Sequence, residues 1–213
     1  RGIKMSLREL YSDSDFDDIM LKYSLALEML ETELRVIIKN YEYNTDSKPV
    51  EYIKSRLKSK NSIIEKLIDK KYDISTENIV NHVHDIIGVR IVCSFVSDVY
   101  KIVDLIKSTS KYIIKEEKDY IKNPKDTGYI SYHIILLMPI YLDGNEVMIE
   151  AEIQIRTMAM DFWAALDHKI AYKFDEMPDE VKKEMYNCSL DIKALDEKME
   201  RLNKISDKYK NKI

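Results

Sequence analysis

Apolar positions early in the chain recur in alternating steps of three and four: Phe16, Met20, Tyr23, Leu27, Leu30, Leu34, Ile37 and Tyr41. That spacing marks one face of an α-helix and, sustained this long, a heptad seam. Ser12 or Ser14 supplies a cap, and the pattern predicts a helix reaching about Asn40. A second seam follows Pro178, through Val181, Met185, Cys188, Ile192, Leu195, Met199 and Leu202, with Lys and Glu on the other faces. The two helices pack on the chain's own core or on each other, or else form an interface between copies.

Between the seams the apolar period alternates between strand and helix. "VEYIKSRLK" reads as a strand, "NSIIEKLIDKKY" as a helix starting near Asn61 or Ser62, and "ENIVNHVHD" as a short helix. "IIGVRIVCSF" reads as a buried strand, "VSDVYKIVDLIKS" as an amphipathic helix and "YIIKEEKDY" as a strand, with a polar loop around Pro124 after it. "GYISYHIILLMPIY" is a strand expected to turn over near Pro139. "LDGN" carries an Asp-Gly hairpin signal and "EVMIEAEIQIRT" is the partner strand. "MAMDFWAALDHKIAYKF" is a helix. The order predicts an α+β fold: a mixed β-sheet of about five strands flanked by helices, with long helices at both ends. The expected organisation is a helical extension over 1–45, a central domain over 46–175 and a C-terminal helix over 176–213.

Composition narrows the function classes. The 213 residues are 45% apolar and 34% charged, which suits a soluble globular chain. A net charge of −4 gives no global support for a nucleic-acid or membrane partner. Cys93 and Cys188, the only cysteines, cannot build a disulfide framework or a Cys-rich zinc site. No apolar run reaches membrane-spanning length and no leader pattern precedes Met5, the expected natural start, so a cytoplasmic protein is expected. The four glycines are too scattered for a Walker or Rossmann loop. Any phosphate must therefore be held by Lys and Arg side chains.

Four stretches carry candidate chemistry. In "IEAEIQIRT", strand alternation puts Ile149, Ala151, Ile153 and Ile155 on one face and Glu150, Glu152, Gln154 and Arg156 on the other. That polar face is either solvated or lines a site. In "YIKSRLK", Lys54, Arg56 and Lys58 share a face, and Lys66 and Lys70 share one on the next helix. A basic row and an acidic strand in one sheet suit phosphate plus the Mg²⁺ that accompanies it. In "NHVHDIIGVRIVCSF", Asp85 precedes a strand that contains Arg90; a bulge at Gly88 would bring both to one cleft. His82 and His84, two apart, do not share a helical face, which argues against a two-His metal site. In "NPKDTGYISYH", Lys125 lies in a loop, while Tyr129, Ser131 and His133 alternate onto one face that could stack a base and bind a ribose.

These pieces, in this order, resemble the synthetase domain of RelA/SpoT-type alarmone synthetases, in their small single-domain branch. The resemblance rests on "SRLKSKNSIIEKL", "DIIGVRIVCSF", "KDYIKNPKDTGYISYH" and "EAEIQIRTMAMDFWAALDHKIAYK". It implies a nucleotidyltransferase-like fold and transfer of the β,γ-pyrophosphate of ATP to the ribose 3′-hydroxyl of GTP, GDP or GMP, with release of AMP. It implies that Asp85 and Glu152 hold a catalytic Mg²⁺ (or Mn²⁺) and that Arg56 and Arg90 sandwich the ATP adenine. Lys58 and Lys66 are then ATP-phosphate ligands, Lys125 an acceptor-phosphate ligand and Tyr129 the ring that stacks on guanine. His133 and Gln154 match acceptor- and site-lining positions. Glu152 as general base is left open.

The sequence departs from the family pattern at Lys118, Thr127 and Ile130, all on the acceptor side, and at Asp69, which leaves phosphate contact to Lys70. Asp161 stands where Asn can contact guanine; its carboxylate could accept from guanine N1–H. With about 45 residues before the synthetase motifs, the separate His-Asp hydrolase domain of bifunctional relatives is not expected. Small relatives are tetramers, so a homo-oligomer is expected. RNA binding, known for some relatives, has no support in this sequence. The alternatives are a nucleotidyltransferase-like enzyme with another transfer reaction, or a catalytically weak nucleotide- or RNA-binding module.

Overall fold

The computed structural model describes residues 13–174 and 176–210. The caps expected at Ser12 and Ser14 fall outside the described side chains. In chain order the elements are α1 (Asp13–Thr45), β1 (Val50–Leu57), α2 (Lys60–Asp69), α3 (Thr76–His82), β2 (Ile87–Cys93), α4 (Val96–Lys107), β3 (Ile113–Asp119), β4 (Tyr132–Leu142), β5 (Asn145–Thr157), α5 (Met158–Ala171) and α6 (Asp179–Lys210). The five strands form one mixed sheet in the order β1-β2-β5-β4-β3. Only β2 and β5 run parallel; the other pairs are antiparallel.

Local chemistry sets several boundaries. The cap of α2 is Ser59, whose hydroxyl accepts from the Ser62 N–H, so this helix starts just before the expected Asn61. Thr157 ends β5 and caps α5 through the Met160 N–H, which leaves no slack between the polar strand and the following helix. Asp143 and Gly144, with φ of 50° and 80°, close the β4–β5 hairpin. β4 does not turn over at Pro139 as expected; it pairs with β5 through to Leu142. Pro139 is tolerated there because β3 pairing has already ended at Leu137, so its missing N–H faces no neighbour strand.

One face of the sheet is apolar and buried: Ile87, Val89 and Ile91 of β2, Ala151, Ile153 and Ile155 of β5, Ile134 and Leu136 of β4. α1 and α4 cover it, through Tyr23, Ala26, Leu30 and Leu34 of the first and Val99, Ile102 and Ile106 of the second. The buried stripe of α1 is Phe16, Ile19, Tyr23, Ala26, Leu30, Leu34 and Ile38, with Met20, Leu27 and Ile37 on its margin. The expected seam therefore packs on the chain's own core, rotated slightly, because a helix on a sheet buries a wider stripe than a strict heptad.

The second seam behaves differently. Of its members only Met185 is buried, while Leu195, Met199 and Leu202 are exposed together with Ile205 and Tyr209. α6 docks by polar contacts instead. Trp163 donates its indole N–H to the Met185 carbonyl at 3.0 Å, and Thr157 donates to Asp196 at 2.8 Å. Glu200 accepts from the Ser97 N–H at the start of α4, where Phe95 offers no capping oxygen.

Burial at the α6 docking surface pushes the Asp196 carboxyl up to about 6, and the Thr157 hydrogen bond only partly opposes this. A raised carboxylate binds protons in the folded state that the unfolded state has lost. Its charge therefore costs stability as pH rises from the ordinary value of 3.8 through about 6. Asp196→Asn is expected to be more stable than the parent at pH 8, by about 1–2 kcal/mol. Melting curves should show the gain vanishing near pH 4; an equal gain at both pH values would contradict the assignment.

Candidate functional site

The register of the sheet builds the site. Lys54 lies opposite Arg90, Arg90 opposite Gln154, Gln154 opposite His133 and His133 opposite Lys118. Directly paired residues point to the same side of a sheet. A transverse polar row thus crosses all five strands on the face away from the core. The next row, two residues along, holds Arg56, Gly88 and Glu152. The predicted polar face of β5 is borne out in this sense.

At the β1–β2 end, Lys54, Ser55, Arg56, Gly88, Val89, Arg90 and Gln154 line a cavity of about 190 Å³. Arg56 and Arg90 approach it from neighbouring strands, staggered by one same-face position. Gly88 forms no bulge: the β1–β2 pairing runs regularly through it, and the irregularity lies between Val50 and Tyr52. The role of Gly88 is space. A Cβ there would stand 3.3 Å from the Arg56 Nε, so glycine lets that side chain lie flat across β2. Asp85 reaches the site without a bulge because it sits in the turn before β2, where strand alternation does not apply.

The two carboxylates lie near enough for the charge of Asp85 to act on Glu152. Lys58 and Lys66 each reach an Asp85 oxygen at 2.7 Å. Burial pushes the Asp85 carboxyl up, but the two lysines outweigh it and hold it below the ordinary range. Glu152 Oε1 takes a hydrogen bond from His133 Nδ1 at 3.0 Å and Oε2 one from Gln154 at 2.9 Å. Burial raises this carboxyl, His133 and Gln154 lower it, and the nearby Asp85 charge raises it again, for a net lowering. Both groups are therefore ionised at neutral pH and close enough to feel one another. Lys70, in contrast, donates to the His82 carbonyl at 3.0 Å and braces α3.

The side that the resemblance assigns to the acceptor is a cluster of rings. β4 begins only at Tyr132, so Tyr129 reaches the site from the preceding loop, not from the strand as expected. Its hydroxyl lies 2.8 Å from His133 Nε2 and accepts from Arg156 Nη2 at 2.6 Å. With the guanidinium donating to that oxygen, the tyrosine O–H points at Nε2, and Nδ1 carries the proton that goes to Glu152. Tyr120 stands edge-on to both rings, and Lys125 Nζ lies 4.8 Å from the Tyr120 centroid and 5.1 Å from that of Tyr129. Lys118 pairs with Glu116 at 3.0 Å on the outer strand. Ile130 is buried and contributes no charge. Asp161 is buried among Arg90, Arg156 and Tyr52.

The sequence profile of the region found in RelA/SpoT proteins matches residues 55–177, more than half of the chain. The GTP pyrophosphokinase YwaC of Bacillus subtilis is 42% identical over 194 residues, covering 91% of this chain and 92% of the relative. The chain belongs to the RelA/SpoT family. Among solved structures, the small alarmone synthetase 2 of B. subtilis matches with a TM-score of 0.82 at 41% identity, over 89% of this chain and 98% of that one. The small alarmone synthetase 1 of B. subtilis, bound to its product pppGpp, matches with a TM-score of 0.81 at 34% identity, over 89% and 96%.

Several residues of this synthetase-family site had no role assigned from sequence. Arg156, 3% exposed, is a hub that also donates to Gln154, and Tyr52 donates to Asp161 at 2.7 Å. Farther along β5, buried Glu150 pairs with Lys115 at 2.5 Å through one oxygen, and its other oxygen lies 2.6 Å from His84 Nδ1. His82 instead stacks on Tyr72, so the two histidines part, and the described residues hold no cluster of three metal-ligating side chains. No helix among them is long and apolar enough to cross a membrane.

Proposed function

We propose that the chain is a GTP pyrophosphokinase that moves the β,γ-pyrophosphate of ATP onto the ribose 3′-hydroxyl of GTP, GDP or GMP. The acceptor 3′-hydroxyl gives up its proton to solvent and its oxygen bonds to the β-phosphorus, the bond from that phosphorus to the oxygen shared with the α-phosphate breaks, and AMP leaves with that oxygen. The observation that carries this reading is the nearness of the Asp85 and Glu152 charges, between a cavity flanked by two guanidiniums and a cluster of rings beside Lys125. The kinship with YwaC supports it, and the related synthetase bound to pppGpp supports a guanosine nucleotide as acceptor.

Two close carboxylates fit Mg²⁺, which takes one or two protein carboxylates and completes its shell with water and substrate phosphate. Bound there, the ion would neutralise charge on the transferred group and lower the pKa of the acceptor hydroxyl. The protein side of the reaction is positioning and charge. Arg56 and Arg90 hold adenine by its faces; Lys58 and Lys66 turn from Asp85 to the ATP phosphates. Lys125 takes acceptor phosphate and Tyr129 stacks on guanine. His133 and Gln154 fix the Glu152 carboxylate, with Lys118 beside them.

The test is a competition among GTP, GDP and GMP with Mg²⁺–ATP, reading AMP and the 3′-modified nucleotide. Product from at least one acceptor is expected; none from any would remove the proposal. The exposed stripe of Leu195, Met199 and Leu202 on α6, and that of Leu21, Met29 and Val36 on α1, suit burial against further copies. A homo-oligomer, a tetramer by family likeness, is expected in light scattering at micromolar concentration, and a monomer would contradict it. A cytoplasmic location accords with this chemistry, since ATP and GTP are its substrates.

A further inference from the structure

We propose that Asp161 is a positioning residue for the donor nucleotide: with Tyr52 and Arg156 it clasps the Arg90 guanidinium at the adenine cavity, and it does not contact the acceptor base. This rests on the pyrophosphokinase reading and deepens it.

Asp161 lies in the first turn of α5, just beyond the end of β5. Its side chain is 9% exposed. One oxygen, Oδ1, lies 3.1 Å from Arg90 Nη1 and 3.2 Å from Arg156 Nη1. The other, Oδ2, accepts from the Tyr52 hydroxyl at 2.7 Å. The carboxylate is thus shared by three partners from β1, β2 and β5. Two guanidiniums this close repel one another, and an anion between them removes that cost. Arg90 lines the donor cavity, and its Nε is buried with no hydrogen-bond partner among the described residues. Nothing at that nitrogen fixes the plane of the group, so its orientation depends on the contact at Nη1.

The same geometry turns Asp161 away from the acceptor. The approach from Tyr129 is filled by Arg156, whose Nη2 donates to the Tyr129 hydroxyl at 2.6 Å and also to Gln154. A guanine stacked on Tyr129 would meet that guanidinium before the carboxylate behind it. Replacing the carboxylate by an amide would leave Arg90 and Arg156 facing each other without an anion. The Arg156 contacts to Tyr129 and Gln154 would remain.

The experiment is calorimetric titration of the wild type, Asp161→Asn and Tyr52→Phe with a non-hydrolysable ATP analogue and Mg²⁺, without guanosine nucleotide, and separately with GDP. Asp161→Asn should weaken analogue binding about tenfold, the scale of one close, partly buried ion pair. Tyr52→Phe should weaken it about threefold, as expected for a neutral donor lost from the same carboxylate. GDP affinity should stay within about twofold of wild type in both. A loss of GDP affinity with donor affinity unchanged would overturn the clasp and make Asp161 a guanine contact. If Asp161→Asn loses both equally, through loss of fold, Tyr52→Phe decides: its ring is partly exposed on an edge strand, and unchanged donor affinity there overturns the proposal. Failure of the folded wild type to bind the analogue would overturn the pyrophosphokinase reading as well as the clasp.

Discussion

Glu152→Gln and Asp85→Asn are each expected to lower pyrophosphate transfer at least about a thousandfold, while the protein stays folded. Both carboxylates are held below the ordinary carboxyl range, against burial, by partners placed for that purpose. Each amide keeps the shape and loses the negative charge that would hold a divalent cation against the polyphosphate. The two variants should differ in stability. In Glu152→Gln the new amide oxygen can still accept a hydrogen bond from His133 or Gln154. Asp85→Asn would leave Lys58 and Lys66, only 16% and 31% exposed, without their anion.

The pH effect has the same sign for both, since both folded pKa values are lowered. Asp85 has a lowered folded pKa, so its contribution is present above the unfolded value near 3.8 and is lost as pH falls through the folded one. Asp85→Asn should therefore cost more at pH 7 than in acid. AMP release and melting curves on the same samples check both points. Wild-type-like turnover in either variant would take that residue out of the site.

Gly128→Ala should be the most damaging change on the acceptor side. Gly128 has φ of 89°, a conformation that costs a residue with a Cβ about 1–3 kcal/mol. An added methyl would also lie 2.8 Å from the Cβ of Ser189 and 3.4 Å from the Cα of Tyr186, both on α6. The loop cannot relax inward, because its backbone is closed by Gly128 N–H to Lys125 carbonyl at 2.8 Å and Lys125 N–H to Tyr129 carbonyl at 3.2 Å. Lys125 and Tyr129 would move together. The expected result is an acceptor KM raised about tenfold or more, with the ATP KM much less affected. Adding Ser189→Gly should restore part of the loss, since it relieves the clash and not the dihedral. Equal effects on both substrates would show that the loop does not serve the acceptor alone.

How much of this was legible in the sequence differs from element to element. Strand alternation in "IEAEIQIRT" placed both faces of β5, since an inner strand obeys its two-residue period strictly. The same logic misjudged Asp85 and Arg90, because it treated a turn residue as part of the strand and then needed a bulge to reconcile them. The seam on α1 was readable and packs on the core. That on α6 was readable as a pattern, yet buried Ser189 and Asp196 sit on the inner face and the leucines outside. Helical periodicity cannot tell which neighbour a face will meet. The clasp was least visible. Tyr52 and Asp161 are 109 residues apart, and Arg156 looked like one more polar strand residue until α5 brought Asp161 over it.

The most direct test of the central claim follows the β-phosphate of ATP. With ATP labelled at that position, Mg²⁺ and GDP, the label should appear in a 3′-pyrophosphorylated guanosine nucleotide, matched one for one by unlabelled AMP. Label released as free pyrophosphate, with AMP joined to an acceptor, would contradict the account and make the chain a nucleotidyltransferase of another kind.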